Sequence, residues 1–508
     1  MCQDCRKARL LRALLAWSFA MLLPDVSGVD AMDIADRKQL LIDDALLQTY
    51  AGLRFTMHPA RKRGHVLLPE LPSEKGRIGF YGSVADVDGT LMMWYWAQTE
   101  YRDDAWRKGL ALATSKDGAV WTKPNLGLVA RGGSKDNNLV NAFGDTVSIN
   151  PHGDVSERFV LIQPKYRTDR PKGGVYLSFS PDGIHWRSHA PCVFPFVPDT
   201  QNQVRYEERI GKWVSYVRTW HPNRRVGRIE IEDLKAPWPY RHDQAPRLIW
   251  GDDCAPVPST EIEEVLACEP ELDGEDADVY TPVAVEYPWA DRAHLMFPSI
   301  YQHLPPPAKG GRYGNDGVLD IHLAVSRDGR AWQRPSPRPY LPLGMDGEPD
   351  SRMLYMFAGL VRRGDRLLHY YCGYRSTHGA HPKGDMDAGA ICLAEQRLDG
   401  FVSLQAGAEP GTLETKPLVF RGGRLELNLA TAATGQCQVE LADASGRVLP
   451  GFGYDACLRI RGNGVALPVR WQSSPSLAVL AGKPVRLRIR LRNADLYAFQ
   501  FGARGPRK

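Results

Sequence analysis

Short apolar runs, each about the length of a β-strand, return along this chain and are separated by turn residues. Three of them lead directly into the phrase Ser-x-Asp-Gly-x-x-Trp: LALAT before Ser115, VYLSF before Ser180 and IHLAV before Ser326. Upstream of each lies a second run rich in apolar and aromatic residues: LMMWYWAQT, FVLIQPKY and AHLMFPSIY. Two such runs, then an Asp-Gly turn and a strand that carries the Trp, predict an antiparallel meander.

The spacing of these meanders predicts the architecture. Ser115 and Ser180 are 65 residues apart, and Ser180 and Ser326 are 146 residues apart, which is close to two units. The unit between them is KWVSYVRTW followed by VGRIEIEDL, and a fifth unit contains RLLHYYCGY and AICLAEQRL. Because repeated four-stranded sheets bury their faces against one another, five units predict an all-β fold with a five-bladed β-propeller.

Beyond Gln405 the pattern changes to short strands without the repeated phrase, such as RLELNLAT and VRLRIRLRN. This change predicts a C-terminal β-sandwich of residues 409–508, preceded by a propeller of residues 32–408. The segment from Ile34 to Tyr50 comes before the blades and is expected to help close the ring.

The repeated phrase itself is expected to be structural. Asp-Gly suits a tight turn because glycine tolerates positive φ and aspartate accepts hydrogen bonds from nearby amides. The Trp can fill space between adjacent sheets. A catalytic group has little reason to recur in several sheets, whereas a fastening between sheets does.

Length, charge and the amino end narrow the functional class. The chain has 508 residues, 43% of them hydrophobic, and a formal net charge of +5 spread without basic clusters, which argues against nucleic acid as a partner. Basic residues before an apolar run, Ala13 to Leu23, predict a signal peptide over residues 1–31 and a secreted or periplasmic protein. The alternative is an uncleaved anchor, and no later stretch is apolar enough to span a membrane.

Neither a cofactor nor a metal is predicted. Seven cysteines follow the leader, and three local disulfides are conceivable: Cys254 with Cys268, Cys372 with Cys392, and Cys437 with Cys457. The mature chain has no zinc-site spacing. The acidic segment from Gly251 to Asp278 is interpreted as a solvated insertion, since its spacing does not match a calcium-binding loop.

The Ser-x-Asp-Gly-x-x-Trp phrase is similar to the Asp-box of sialidases, although it is one residue shorter between Asp and Gly and those enzymes have six blades. The whole layout looks more like glycoside hydrolase families 32 and 43. That resemblance implies hydrolysis of glycosidic bonds in a central funnel, by acidic residues on the innermost strands. The family 32 signature Trp-Met-Asn-Asp-Pro-Asn-Gly is absent and no family 43 motif is present, so the architecture transfers and particular catalytic residues do not.

Acidic residues at or just before the inner strands are the candidate catalytic groups: Asp145, Asp199, Asp278, Glu348 and Asp350. Glycosidic hydrolysis needs one protonated carboxyl group as acid and one ionised carboxylate as nucleophile or base. Carboxylates that are crowded together acquire different pKa values, which creates these two roles. The alternative is that these acids cap turns.

The candidate substrate-binding residues are polar or aromatic side chains in or near the inner strands: Glu74, Tyr81, Asn202, Arg205, Arg218, His221, Tyr280 and Arg352. Arginine offers a planar fork to sugar hydroxyls or to the carboxylate of an acidic sugar. Tyrosine offers a flat face to a sugar ring, and packing between blades is the alternative role for the aromatic residues.

These predictions favour a secreted, carbohydrate-active hydrolase. Two alternatives stay open: a non-catalytic propeller that binds glycan or acts as a scaffold, and a glycoside phosphorylase that uses phosphate in place of water. The sequence predicts carbohydrate as the partner and leaves the oligomeric state undetermined.

Overall fold

The fold is described by a computed structural model that covers residues 30–102, 105–165, 174–220, 223–239, 262–305, 315–380, 386–472 and 476–502. Across these residues the structure is a five-bladed β-propeller with a β-sandwich, which confirms the predicted fold class. The helices are short: α1 at Pro270–Asp273, and 3-10 helices at Pro72–Glu74, Val155–Glu157 and Leu477–Leu480. None of the helices in the described ranges has the length and apolar character needed to cross a bilayer. Residues 1–29 of the predicted leader lie outside these ranges.

Five strands precede the first complete blade: β1 (Met32–Ala35), β2 (Gln39–Leu40), β3 (Leu47–Ala51), β4 (Leu53–Met57) and β5 (Arg61–Leu67).

The blades follow in chain order, with these strands: blade 1, β6 (Arg77–Val87), β7 (Thr90–Arg102) and β8 (Ala105–Ser115); blade 2, β9 (Thr146–Ile149), β10 (Phe159–Lys165), β11 (Gly174–Ser180) and β12 (Arg187–Ser188); blade 3, β13 (Arg205–Glu207), β14 (Lys212–Thr219), β15 (Arg225–Ile231) and β16 (Glu263–Leu266); blade 4, β17 (Ala277–Glu286), β18 (His294–His303), β19 (Gly317–Ile321) and β20 (Ala324–Ser326); blade 5, β21 (Met353–Met356), β22 (Val361–Arg363), β23 (Arg366–Tyr374) and β24 (Ala390–Arg397).

The ring closes through β5, which pairs with β24 and becomes the outer strand of blade 5. This corrects the expectation for the segment from Ile34 to Tyr50, because β1, β2 and β3 within it pair with strands of the sandwich instead. The segment that precedes blade 1 is therefore joined to blade 5 by main-chain hydrogen bonds between strands more than 300 residues apart.

Neighbouring blades are also joined near the axis. At least one hydrogen bond links each blade to the next, and these bonds run around the ring: Val147 N to Ser83 Oγ (2.9 Å), Thr146 Oγ1 to Asn202 O (2.7 Å), Thr200 Oγ1 to Tyr280 O (2.9 Å), Leu319 N to Arg352 O (3.0 Å) and Val84 N to Ala358 O (2.8 Å). The positions of the blades are thus fixed relative to one another by polar contacts as well as by packing.

The repeated Ser-x-Asp-Gly phrase fastens blades together. In blade 2, Ser180 Oγ accepts a hydrogen bond from Gly183 N at 2.8 Å, and Asp182 Oδ1 accepts from the next two amides. The turn presents the carbonyl oxygen of Gly183 to blade 1, where Trp94 Nε1 on β7 donates to it at 2.7 Å. The indole is fully buried, so this bond lies inside the joint between two sheets.

The other two copies repeat this contact with different donors. Tyr370 of blade 5 donates its hydroxyl to the carbonyl of Gly118 at 2.7 Å, and Tyr216 of blade 3 donates to the carbonyl of Gly329 at 2.9 Å. In all three cases the donor belongs to a strand of the neighbouring blade. The structure therefore agrees with a structural role for the phrase.

The sandwich contains six strands after the propeller: β25 (Val402–Ala406), β26 (Gly411–Thr415), β27 (Leu418–Phe420), β28 (Arg424–Asp443), β29 (Asn463–Pro468) and β30 (Val485–Gly502). Along β30 apolar residues alternate with arginines, as expected for a strand with one buried face. Strands β1 to β4 complete this sheet, and β25 pairs with both β4 and β30. The sandwich therefore includes residues from both sides of the propeller, which corrects the predicted boundaries at residues 32 and 409.

Two further expectations are corrected. Cys372 and Cys392 are free thiols, because Cys372 pairs with Ile391 across β23 and β24, which places the two thiols on opposite faces of blade 5. Cys437 and Cys457 are also free. Within the acidic segment, residues 251–261 lie outside the described ranges, and Glu263–Leu266 forms the outer strand of blade 3 rather than a solvated insertion.

Candidate active site

Strand β6 carries a bulge that lines the axis with aromatic rings. Phe80 and Tyr81 loop out of the ladder between Gly79 and Gly82, which remain paired with β7. Gly79 and Phe80 both have positive φ, at 77° and 65°, a conformation that non-glycine residues hold only under constraint. The rings of Phe80 and Tyr81 lie 4.7 and 6.3 Å from that of Tyr355 on β21. Bulges of this kind are common beside functional sites.

Around this bulge, five side chains from different segments act on one another electrostatically, and we call them the hub: Tyr81, Asp145, Asp199, Arg218 and Tyr280. Strands β6, β14 and β17 supply Tyr81, Arg218 and Tyr280, while Asp145 immediately precedes β9 and Asp199 lies ahead of β13. Burial is the main cause that raises the pKa of Tyr81 well above its ordinary value, so this phenol stays neutral.

Asp145 is the most perturbed carboxyl group of the hub. Its side chain is only 1% exposed, and its Oδ2 accepts hydrogen bonds from Asn202 N at 3.1 Å and Asn202 Nδ2 at 2.6 Å. Its other oxygen is buried and has no hydrogen-bond partner among the residues that the structure describes. Burial raises the pKa of Asp145 to about 7, because the hydrogen bonds from Asn202 and the charge of Lys108 only partly offset the loss of water, and the charge of Asp199 adds to the rise.

Asp199 has a different environment. Its side chain is 25% exposed, and its Oδ2 lies 3.2 Å from Arg218 Nη1. Arg218 is almost fully buried and donates its other terminal nitrogen to the carbonyl of Tyr280 at 2.6 Å. Asp199 has a φ of 52°, unusual for a residue with a side chain. Asp145 and Asp199 therefore have unlike environments: Asp145 is buried and bonded to an amide, whereas Asp199 is partly hydrated and paired with an arginine.

Asp278 lies behind the hub in a closed ion-pair network. It is 3% exposed, and its Oδ2 is 2.8 Å from Arg224 Nη1 and 3.0 Å from His303 Nε2. The Arg224 guanidinium lies over the ring of Tyr280 at 5.5 Å. Asp278 therefore positions Arg224 against the hub, and both of its close partners compete with any substrate for its charge.

His378 holds the hydroxyl of Tyr280. Its Nδ1 lies 3.1 Å from the carbonyl oxygen of Asn315, which can only accept, so Nδ1 carries the proton and Nε2 accepts from the Tyr280 hydroxyl at 2.8 Å. Burial lowers the pKa of His378 to about 4, so the imidazole is neutral at physiological pH. The Tyr280 ring is thereby fixed in orientation beside the hub.

Two of the predicted acids are structural. Glu74 is fully buried: its Oε2 accepts from two main-chain amides and from Lys123 Nζ at 2.8 Å, and its Oε1 accepts from the Tyr95 hydroxyl at 2.6 Å. Both of its oxygens are therefore engaged within blade 1 and its flanking loop, so it cannot bind substrate. Glu348 is exposed and caps a turn by accepting from Met345 N at 2.8 Å.

The remaining predictions are corrected by position. Asp350 is buried in blade 5, where Tyr371 of β23 donates to it at 2.8 Å and Lys62 Nζ of β5 lies at 2.6 Å. Arg205 donates to the carbonyl of Ala284, six residues further along β17 than Asp278 and so well away from the hub. Arg352 also does not join the hub, since it is partly exposed and pairs with Asp346. The predicted residue His221 lies outside the described residues.

The structure thus brings together six of the predicted residues: Asp145, Asp199, Asn202, Arg218, Tyr81 and Tyr280. Sequence reasoning missed the cations and the histidine that complete their surroundings: Arg77, Lys108, Arg224 and His378. The sequence shows that these four residues lie in or near the apolar runs. It does not show which face of each sheet they occupy, because that depends on the bulge in β6 and on strand register.

The sequence matches no protein-family model, and no curated protein sequence is similar to it. Solved structures with a similar arrangement include a glycoside hydrolase (13% identity, TM-score 0.43, 67% of this chain and 92% of that chain). Another comes from the GH130 family of mannoside phosphorylases, which contains glycoside hydrolases that target beta-1,2 mannosidic linkages in Candida mannan (13%, 0.43, 71% and 97%). A third is an N-acetylgalactosamine deacetylase from F. plautii in complex with blood group B trisaccharide (13%, 0.43, 69% and 97%).

Proposed function

We propose that this protein is an exported glycoside hydrolase that cleaves glycosidic bonds at the hub. The observation that carries the proposal is the pair of unlike carboxyl groups, Asp145 and Asp199. Asp145 is buried with a pKa raised to about 7, whereas Asp199 is partly hydrated and held by Arg218. Glycosidic hydrolysis uses one carboxyl group that holds a proton and a second that carries negative charge, and the two unlike environments suit this division of roles.

In this proposal Asp145 is the general acid. Its proton passes to the glycosidic oxygen as the bond between that oxygen and the anomeric carbon breaks, so the leaving sugar departs as an alcohol. Asp199 supplies negative charge to the anomeric carbon, either directly as nucleophile or by taking a proton from an attacking water. With Asp199 as base, the water's hydroxyl ends on the anomeric carbon and its proton on Asp199, and solvent then returns a proton to Asp145. With Asp199 as nucleophile, water attacks the anomeric carbon, the bond between that carbon and Asp199 breaks, and the water's proton passes to Asp145.

The surroundings of the two carboxyl groups suit a sugar. Tyr81 and Tyr280 are only 5% and 8% exposed, and their rings border the hub. Aromatic faces pack against the apolar faces of sugar rings, and the neutral phenols leave the charge balance to the aspartates and arginines. Asn202 keeps one buried oxygen, Oδ1, without a hydrogen-bond donor, which a sugar hydroxyl could satisfy.

The test is release of reducing sugar from a panel of plant and algal glycans by the wild type, Asp145→Asn, Asp199→Asn and a control, Glu348→Gln. We expect a fall of at least 100-fold in kcat for each aspartate variant and none for the control, since Glu348 only caps a surface turn. Full turnover by Asp145→Asn on a substrate that the wild type cleaves would contradict the assignment. Turnover that requires inorganic phosphate would show phosphorolysis instead of hydrolysis.

Export is the second part of the proposal. It is supported by the basic and apolar pattern of residues 1–31. Amino-terminal sequencing of the protein recovered from the periplasm or medium of its bacterial expression host should place the mature start between residues 29 and 32. A retained leader in the recovered protein would contradict cleavage.

A further inference from the structure

Three polar side chains form a row across blade 1 beside the hub. Arg77 of β6 lies directly opposite Gln98 of β7, and Gln98 lies opposite Lys108 of β8. Residues directly opposite each other in antiparallel strands share a face of the sheet, so the row runs outward from the axis on one side of the blade.

None of the three side chains has a hydrogen-bond or ion-pair partner within the described residues. Arg77 is 7% exposed, its Nε is buried without a partner, and its guanidinium lies over the rings of Tyr374 and Phe80 at 3.9 and 5.0 Å. Gln98 is 4% exposed and its Oε1 is also buried without a partner. Buried polar groups in native proteins are normally satisfied, so such a concentration of exceptions requires an explanation.

Lys108 extends the row toward solvent. Its Nζ lies 4.5 Å from the centre of the Trp96 ring. Burial lowers the pKa of Lys108, and the charges of Asp145 and Asp199, neither of which lies within ion-pair distance, offset this effect only in part. A groove of about 420 Å³ is lined by Lys108, Arg131 and Phe143, so the outer end of the row borders space that a ligand can enter.

The charges around the hub do not balance in this region. Arg218 is paired with Asp199, and Arg224 is paired with Asp278. Asp145 is largely protonated below pH 7. Among the described residues, the two cations of the row therefore have no carboxylate within ion-pair distance.

We propose that Arg77, Gln98 and Lys108 bind a carboxylate carried by the glycan, so that the substrate is an acidic saccharide containing uronic acid. A planar guanidinium and an ammonium group donate hydrogen bonds to the two carboxylate oxygens, and the Gln98 amide nitrogen can donate to one of them. The unpartnered Gln98 Oε1 only accepts, so its partner would be a hydroxyl group of the same sugar. The Tyr374 and Trp96 rings hold the two cations in place by cation–π contact. This inference rests on the proposed function, since it names the class of glycan that the same hub would cleave.

The test is calorimetric titration of the full chain with methyl glucuronide and with galacturonate, each compared with its uncharged hexose and with inorganic phosphate. We expect at least one uronate to bind tenfold or more tightly than its hexose. Lys108→Gln and Arg77→Gln should each remove that preference. The control is Arg490→Gln, since Arg490 makes the same contact with a ring, Tyr454 at 4.4 Å, in the sandwich.

Equal affinity for uronates and hexoses, or an unchanged preference in Lys108→Gln, would overturn the inference. Phosphate binding that exceeds uronate binding and is lost in Lys108→Gln would also overturn it, and would assign the cations to phosphate. Because Lys108 is only half-buried, its variant should fold even where Arg77→Gln does not. Cleavage of neutral glycans only would refute this inference and leave the proposed function standing, whereas uronate binding without any cleavage would do the reverse.

Discussion

Replacement of Asp145 by asparagine should make the folded protein more stable at alkaline pH relative to the wild type. The carboxyl group is 1% exposed, and burial raises its pKa to about 7 from an ordinary value of 3.8. The unfolded chain therefore loses this proton at a lower pH than the folded chain does. As pH rises from about 4 to 7, the folded state holds the extra proton, so its stability falls with pH.

The size of the effect follows from the pKa values. A difference of about three pH units in pKa corresponds to roughly 4 kcal/mol in total, of which about 3 kcal/mol develops between pH 5 and pH 9. In Asp145→Asn the amide oxygen can accept the same two hydrogen bonds from Asn202, but the amide nitrogen would occupy the position of the unpartnered Oδ1. The cost of that buried donor, about 1–3 kcal/mol, is present at every pH and cancels in the comparison.

The measurement is urea unfolding of the wild type and Asp145→Asn, followed by tryptophan fluorescence at pH 5 and pH 9. We expect the free-energy difference between the two proteins to shift by about 3 kcal/mol in favour of the variant at pH 9. Glu348→Gln, which removes an exposed carboxyl group, should show no such shift. A shift below about 1 kcal/mol would mean that Asp145 ionises in its ordinary range, which would remove its role as proton donor.

Two further predictions concern the scaffold. Gly118→Ala should lower stability by about 2–4 kcal/mol in thermal or urea unfolding, because Gly118 has a φ of 88° and an added Cβ would lie 2.6 Å from the Tyr370 hydroxyl. The control is Gly127→Ala, which has a positive φ but open surroundings and should cost only about 1 kcal/mol. Lys62→Met should lower stability by about 3–5 kcal/mol, because it leaves the buried carboxylate of Asp350 without its cation. Arg63→Met, at an exposed ion pair, should cost under about 1 kcal/mol. Equal effects of the two variants in either comparison, glycine or cation, would contradict the explanation given for it.

Three of the blades were predictable because a local signal marks them, and the other two followed from the spacing of the units and from their paired apolar strands. The Asp-Gly turn, the preceding apolar strand and the Trp lie within one short segment, so no long-range contact is needed to recognise them. The sandwich boundaries were not predictable in this way. Strand β1 pairs with β27 and β5 pairs with β24, across several hundred residues, and nothing in either segment alone specifies its partner.

The row of Arg77, Gln98 and Lys108 could not be predicted from the sequence, because strand register decides which residues lie opposite each other. The turn at Asp88–Gly89 pairs Val87 with Thr90, and counting back from it would place Arg77 opposite residue 100. The bulge of Phe80 and Tyr81 shifts the ladder by two residues, so that Arg77 meets Gln98 instead. The two glycines of β6, Gly79 and Gly82, were the feature of the sequence that could have indicated the bulge, since glycines inside a strand often mark one. The sequence showed that the candidate acidic residues lie near the starts of strands. It did not show on which face of blade 5 Asp350 lies.

Several buried polar atoms in and around the hub have no hydrogen-bond partner among the described residues, and such atoms lower the stability of the fold while leaving groups free to bind a ligand. These atoms are Arg77 Nε, Gln98 Oε1, Asp145 Oδ1, Asn202 Oδ1, Arg218 Nε and Asp278 Oδ1. Each such atom costs about 1–3 kcal/mol, so the site is a net burden on folding that the rest of the molecule must offset. The contacts between blades, in which Trp94, Tyr216 and Tyr370 donate to buried carbonyls, lie outside the hub and do the reverse. Stabilising substitutions should therefore be found at the hub and destabilising ones at the joints between blades, the pattern expected where polar groups are prepared for a ligand.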